Sequence, residues 1–306
     1  MRLSHRDFIF ESNDFENMCK FVIQDNAKRK EYFIWHIGRI VDWKYGLHDR
    51  KRFFPSNFSK AAHLWFNGFQ DLIGFVISEG MNNEFTVFLK DEYGLFYSEL
   101  VDWVLQEWGS NYDTLVTQSV EGQHGFIASL VKAGFAKCED IEMSRVFDTS
   151  RYLDYRIDDP SIVLQSMYEN KDYIKQANLR RDCWPGTIDV ELDLQIREYT
   201  RRSPIYNPKF DFVLVNEENE HVSGCEAFID YENNTAEIER VCTRSSFQNK
   251  GYAATILKAC MRELYKNKIK TAFITGGYDK TIHLYGKLGH VTCIPEIYND
   301  GTVTPS

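Results

Sequence analysis

No Cys-x-x-Cys spacing occurs in the chain, although seven cysteines are scattered along it (Cys19, Cys138, Cys183, Cys225, Cys242, Cys260 and Cys293). An odd number at irregular intervals suggests neither a zinc knuckle nor a disulfide framework, so no metal site is expected. Long apolar runs are also missing. No stretch approaches the length of a membrane-spanning helix, and residues 1–30 are charged, without the apolar centre of a signal peptide. The expectation is a reducing, cytoplasmic setting with no membrane partner. Positive charge is in deficit, with 36 Lys and Arg against 45 Asp and Glu and a net charge of −9. Nucleic-acid binding needs a basic face, so that class is disfavoured, whereas the field of an acidic protein suits a cationic or amine substrate. Short basic runs such as Arg180-Arg181 and Arg201-Arg202 read as solvated faces.

What is present is a large apolar inventory. Hydrophobic residues make up 43% of the 306, with 22 Phe, 17 Tyr and 6 Trp, enough to build two ordinary domains. The first half reads as helices at 14–22 and 32–43, a loop at 53–60, and strands at 62–66, 72–78 and 84–89. A helix at 95–108, a strand at 115–118, a helix at 126–133 and a closing strand at 141–147 follow. After a polar stretch around 148–159 the grammar repeats: helices at 162–177 and 190–200, then strands at 211–215, 222–230 and 237–243. A long helix with the stripe Ile256, Leu257, Cys260, Met261 and Leu264 comes next, then a strand at 271–275, a helix at 281–288 and a last strand at 291–297. The expected architecture is an α/β chain of the α+β type. It has two related domains, residues 1–148 and 149–306, each a mixed, mostly antiparallel sheet flanked by helices.

One junction carries chemistry. A strand ending at Val241-Cys242-Thr243 leads through a polar loop into Gln248-Asn249-Lys250-Gly251-Tyr252-Ala253-Ala254, where the long helix starts. Gly251 lets an anion approach the main chain, the first helical N–H groups point at it, and Lys250 adds a cation. Gln248-x-x-Gly251-x-Ala253 matches the [Gln/Arg]-x-x-Gly-x-[Gly/Ala] signature of the GCN5-related N-acetyltransferases. Leu284-Tyr285-Gly286-Lys287-Leu288-Gly289 is similar to a second signature of that family, Leu-Tyr-x-x-x-Gly-Phe. The second half resembles this superfamily, and the whole chain resembles a tandem member. Two departures stand out: Tyr278-Asp279 replaces the usual Asn upstream of Tyr285, and His290 replaces the terminal Phe.

The resemblance implies acetyl-CoA as acyl donor, with the main chain of Val241, Cys242 and Thr243 against its pantetheine arm. Gln248, Asn249, Lys250, Gly251, Tyr252, Ala253 and Ala254 would surround its diphosphate. Direct transfer to an amine then needs a base for the ammonium proton and an acid for the leaving thiolate. Glu237 or Glu239 is the expected base, both placed by strict alternation on one strand face with Val241 and Thr243. Glu226 and Asp230 are weaker alternatives. Tyr285 is the expected acid. His283, His290 and the Cys242 thiol have no partner at readable spacing and suggest no covalent or metal chemistry.

In the first half the corresponding loop reads Lys90-Asp91-Glu92-Tyr93-Gly94-Leu95-Phe96-Tyr97-Ser98, acidic and bulky where phosphate would need room. That half is expected to be a degenerate copy without cofactor that buttresses the other and lends part of an acceptor pocket. Trp35, Trp43, Tyr45 and Tyr206 are candidates for lining it, with core packing the alternative for each. The expected function is acetyl transfer to a primary amine of a small molecule or peptide by a monomer or homodimer. A non-catalytic acyl-CoA-binding sensor or interaction module is the alternative.

Overall fold

A computed structural model of the chain describes residues 3–28, 35–45, 59–120, 122–138, 143–184 and 190–300. Its elements in chain order begin with β1 (Ser4–Asp7), α1 (Asp14–Lys28), α2 (Ile37–Tyr45), β2 (Ala62–Phe66), β3 (Leu72–Ile77) and β4 (Glu84–Leu89). Then come α3 (Tyr97–Glu107), β5 (Val116–Ser119), α4 (His124–Lys132), β6 (Ala136–Lys137) and β7 (Met143–Asp148). The second half has β8 (Val163–Ser166), α5 (Met167–Asn170), α6 (Tyr173–Cys183), α7 (Val190–Thr200), β9 (Asp211–Val215), β10 (His221–Asp230) and β11 (Thr235–Thr243). It ends with α8 (Tyr252–Lys266), β12 (Thr271–Gly276), α9 (Asp279–Gly286), β13 (His290–Cys293) and β14 (Glu296–Asn299). Residues 32–34 of the second expected helix, 53–58 of the expected loop, and Ile141 and Glu142 of the closing strand lie outside the described residues.

Two sheets form, in the orders β1-β2-β3-β4-β5-β14-β6 and β13-β7-β12-β11-β10-β9-β8. Each contains a parallel pair, β4–β5 in one and β11–β12 in the other. The ladders β1–β2, β2–β3, β3–β4, β8–β9, β9–β10 and β10–β11 are antiparallel. The compact units do not follow one cut in the sequence. One comprises Met1–Ile34, His48–Met143 and Cys293–Ser306, the other Trp35–Leu47 and Ser144–Thr292. The strand that closes the first half of the sequence, β7, belongs to the second unit and its sheet; the one that closes the second half, β14, belongs to the first; and α2 is part of the second unit.

In the second unit, alternation sends Cys225, Ala227 and Ile229 of β10, with Ala236 and Ile238 of β11, to one face. There they meet the α8 stripe Ile256, Leu257, Cys260, Met261 and Leu264, all fully buried. Each such side chain stabilises the fold by about 1.5–3 kcal/mol. Val213, Val215 and Cys242 face the other way, onto Leu179 of α6, and Gly38 of α2 sits over Phe228 on that same face.

Residues 162–177 are not the expected single helix. Ile162 and Leu164 pack into the sheet core as part of or beside β8, whose register is set against β9. The helical segment starts only after Ser166, where the Glu169 carboxylate accepts from the Ser166 N–H at 3.0 Å and its hydroxyl at 2.8 Å, a capping box. The expected last strand at 291–297 splits into β13 and β14, separated by Ile294 and Pro295, because proline cannot donate to a ladder.

Candidate functional site

The site grows from β11. Its parallel ladder with β12 covers only Thr235–Glu237 against Thr271–Phe273, while β11 continues to Thr243 and β12 to Gly276. The β10–β11 register slips by one between Gly224 and Glu226, opposite Arg240, whose φ is +54°. This is a β-bulge with a left-handed residue, a position that glycine usually takes, and holding arginine there costs about 1–3 kcal/mol. The bulge breaks the strict alternation expected from the sequence. Val241 joins Ala236 and Ile238 on the α8 face, and Cys242 turns to the α6 face. Glu237 and Glu239 therefore do not share a face with Val241.

Past Thr243 the chain makes a 3₁₀ turn, Ser245–Phe247, and reaches the left-handed Asn249 (φ +62°) and Gly251 (φ +86°). A Cβ on Gly251 would meet nothing within 4 Å, so the approach to this main chain is open. No side chain caps α8, which leaves the N–H groups of Tyr252, Ala253 and Ala254 without a partner among the described residues. The contrast with α6 is direct, since Asp172 caps that helix through the Lys175 N–H at 3.0 Å. Lys250 is exposed and lies 4.9 Å from the Phe247 ring centre. Gln248 donates weakly to the Thr243 carbonyl at 3.4 Å, and Tyr252 donates its hydroxyl to Asp159 at 3.0 Å. What Tyr252 offers an anion is its main-chain N–H. An open, uncapped helix start after a left-handed glycine fits a diphosphate.

The two glutamates differ. Glu237 is 5% exposed, on the last rung shared with β12. Its Oε2 would lie 2.6 Å from a Cβ on Gly38 and is 3.9 Å from His36 Nδ1. His36 is not its ion-pair partner: burial pushes its pKa down to about 3, so the ring is neutral. Glu239 is half-buried, beyond the last rung. Tyr285 of α9 is close enough to Glu239 for that charge to matter. Burial first, and Glu239 second, raise the pKa of its phenol well above the usual tyrosine value. The Tyr285 ring lies over the end of β12, 3.2 Å from where a Cβ on Gly276 would stand, and its hydroxyl has no hydrogen bond among the described residues. The glycines around Tyr285 are explained by β7. A Cβ on Gly286 would sit 3.1 Å from the Arg145 guanidinium, and one on Gly289 2.6 Å from the Val146 carbonyl oxygen.

Sequence reasoning missed a buried ionic network on the α2 and α6 side of β10 and β11. Arg240 donates to Asp42 of α2 at 2.6 Å and to Glu226, while Arg180 of α6 donates to the same Glu226 oxygen at 3.2 Å and to Asp211 at 3.1 Å. Gln176 and Tyr206 complete Asp211, at 2.6 and 3.0 Å. Burial alone would favour a neutral Arg240, yet Asp42 and Glu226 outweigh it and hold the guanidinium charged. The readable signal was charge inside strands that are otherwise apolar. Glu226, bound to two guanidiniums, is an ion-pair partner and not a base. Asp230 accepts from the N–H groups of Glu232 and Asn233, which makes it a turn former. Trp35 and Trp43 are core residues, the Tyr45 ring lies tilted against Tyr199 with centres 5.1 Å apart, and His283 and His290 are exposed. Among the described residues no cluster of three His, Cys, Asp or Glu is placed to hold a metal, and no helix is long and apolar enough to cross a membrane.

The sequence model of the acetyltransferase (GNAT) family matches residues 175–290. A tandem GNAT protein from the clavulanic acid biosynthesis pathway superposes with a TM-score of 0.63 at 8% identity, covering 100% of each chain. A GCN5-related N-acetyltransferase from Sphaerobacter thermophilus gives 0.59 at 12% identity, over 97% of this chain and 95% of that one. A GNAT-family acetyltransferase from Colwellia psychrerythraea gives 0.59 at 12%, over 98% of each. No curated protein matches the sequence. The glycine-started helix and the tyrosine motif both lie inside the matched segment, so over residues 175–290 the chain is similar to the acetyltransferase (GNAT) family, and the structural neighbours show that the whole chain has a tandem GNAT fold.

Proposed function

We propose that the chain is an acetyl-CoA-dependent N-acetyltransferase whose acceptor is a primary amine of a small molecule or peptide. The observation that carries this reading is the uncapped start of α8 behind left-handed Gly251, next to the length of β11 that no longer pairs with β12. The main chain of Val241, Cys242 and Thr243 would bind the amide-bearing arm as an added strand. Gln248, Asn249, Lys250 and Gly251 would flank the diphosphate, and the N–H groups of Tyr252, Ala253 and Ala254 would hold it. When bound, the coenzyme supplies an acetyl thioester.

Glu239 is the base in this reading. It lies past the last rung and is partly open to water, whereas Glu237 is sealed beneath Gly38. Glu239 would take the ammonium proton through a water, freeing the nitrogen to bond to the acetyl carbon; Tyr285 would protonate the sulfur as the carbon–sulfur bond breaks, its phenolate recovering a proton from the newly acylated nitrogen. A raised phenol pKa keeps Tyr285 in its donor form throughout the neutral range. The first unit is read as a copy that has lost the cofactor.

The test is calorimetric titration of the full chain with acetyl-CoA, followed by coenzyme A release across a panel of amines. Binding with amine-dependent release is expected. A folded chain that does not bind acetyl-CoA would overturn the proposal, and binding without release to any amine would favour the sensor.

A further inference from the structure

The backbone at Arg240 is strained at a position glycine usually takes, yet the residue there has a long side chain, fully committed at both ends of its fork. One terminal nitrogen reaches Asp42 at 2.6 Å and the other reaches Glu226, which Arg180 holds from the far side. Arg240, Asp42 and Glu226 are all buried, and the Arg240 guanidinium lies 5.1 Å from the Phe228 ring centre. The strain falls next to Glu239, on the stretch of β11 that has left the β12 ladder. A residue that is both unfavourable in its backbone and locked through its side chain is held there by its surroundings. Relaxing it would let the bulge slip and move every later β11 residue to the opposite face.

We propose that Arg240 is a positioning residue for acetyl transfer, clamped by Asp42 of α2 and Glu226 of β10 so that the β11 bulge aims Glu239 and the Val241–Thr243 main chain at the reacting centre. The inference rests on the transferase reading above. It adds that a helix from the first half of the sequence governs the transfer step. The diphosphate cradle lies beyond the bulge, on Gly251 and α8, and depends on neither ion pair. The clamp therefore acts first on turnover, and reaches cofactor affinity only through the arm along Val241–Thr243.

The experiment uses the full chain with Asp42→Asn, Arg240→Lys and Arg240→Gly. Glycine suits the left-handed bulge, so Arg240→Gly removes the clamp without adding backbone strain. Asp42→Asn keeps the shape of its partner. The expected result is a kcat reduced about tenfold in Asp42→Asn and about a hundredfold in Arg240→Gly, with Arg240→Lys between wild type and glycine and with the acetyl-CoA Kd within about threefold throughout. Hydrogen exchange supplies the second arm. Amides of residues 238–243 should exchange about tenfold faster in Asp42→Asn, with those of β9 unchanged. Folded variants that turn over like wild type, or that lose affinity and turnover in proportion, would overturn the proposal. So would unchanged exchange in β11. If the wild-type chain acetylates no amine, the transferase reading fails, and the exchange arm still decides whether the clamp holds the bulge.

Discussion

In the first unit β4 runs without a register slip along β3 and turns at Lys90 into a 3₁₀ helix, Asp91–Phe96, that flows directly into α3. In the second, β11 slips past β10 at Arg240 and reaches α8 through Gly251. Around these junctions the units agree. Both place the fourth strand parallel to the fifth for only a short ladder, Glu84–Phe85 against Val116–Thr117 in one and Thr235–Glu237 against Thr271–Phe273 in the other. The opening between the two strands therefore belongs to the sheet and is maintained by each core. The anion cradle belongs to a few residues and is lost or kept independently of the fold. In the first unit Asp91 and Glu92 occupy the first turn. A negative charge brought within 4 Å of either carboxylate is opposed by about 1 kcal/mol in water and about 4 kcal/mol near a protein surface.

Glutamate at each junction glycine is the strongest way to break this comparison. Gly251→Glu places a carboxylate where the diphosphate would rest, and acetyl-CoA affinity should fall more than about a hundredfold, roughly 2.7 kcal/mol. Gly94→Glu in the first unit should leave affinity unchanged. Titration calorimetry on both full-length variants reads the difference, and equal losses would mean that the first unit also binds the coenzyme. Gly251→Ala separates charge from backbone. A left-handed alanine costs about 1 kcal/mol of stability, visible as a lower melting temperature.

Next in size is the contrast between the glutamates of β11, which has no counterpart in β4. Glu239→Gln should lower kcat by about 10²- to 10³-fold with acetyl-CoA binding retained. Glu237→Gln should change kcat less than about tenfold, since its carboxylate is enclosed by α2. Equal effects, or the reverse order, would reassign the base. Tyr285→Phe should cost about 10- to 100-fold in kcat. Because the phenol's pKa is raised, wild-type activity should show no alkaline fall from Tyr285 in the range where an ordinary tyrosine ionises.

The part of the site that is local in sequence was legible. The strand, the glycine and the apolar stripe of α8 lie within one continuous segment, and period-two and 3.6-residue patterns expose them. The bulge was not, because a rule of alternation carries Val241 to the wrong face once Arg240 adds its extra residue. Ile162 and Leu164 suit a helix and a strand equally, and only the Ser166–Glu169 box reveals where coil ends and helix begins. The exchange of β7 and β14 between the sheets, and the pairing of Asp42 with Arg240 across 198 positions, leave no trace in any short window.

The smallest expected effect compares the units by acid. Each contains a buried neutral histidine, His63 in the first and His36 and His221 in the second, with pKa values pushed down by burial to about 4, about 3 and about 4. In the unfolded chain these rings take up a proton near pH 6.5. Between that pH and the folded value the unfolded state binds more protons, so stability falls as pH drops from about 6.5 towards 4. His36 accepts from the Gly38 N–H at 3.3 Å, which leaves its Nε2–H to meet Thr235 at 3.1 Å and gives the ring no room for a second proton. At pH 5.5 a fully buried histidine of this kind costs about 1.4 kcal/mol of stability. For a unit of this size that is about 3–6 °C of melting temperature. His36→Gln should lower the melting temperature at pH 7 but reduce its further fall by pH 5.5 by that amount, while His63→Gln should do the same for the first unit's transition. If the His36→Gln chain loses as many degrees between the two pH values as wild type, the ring is not held neutral in the folded state, and the packing of α2 over Glu237 is looser than these contacts require.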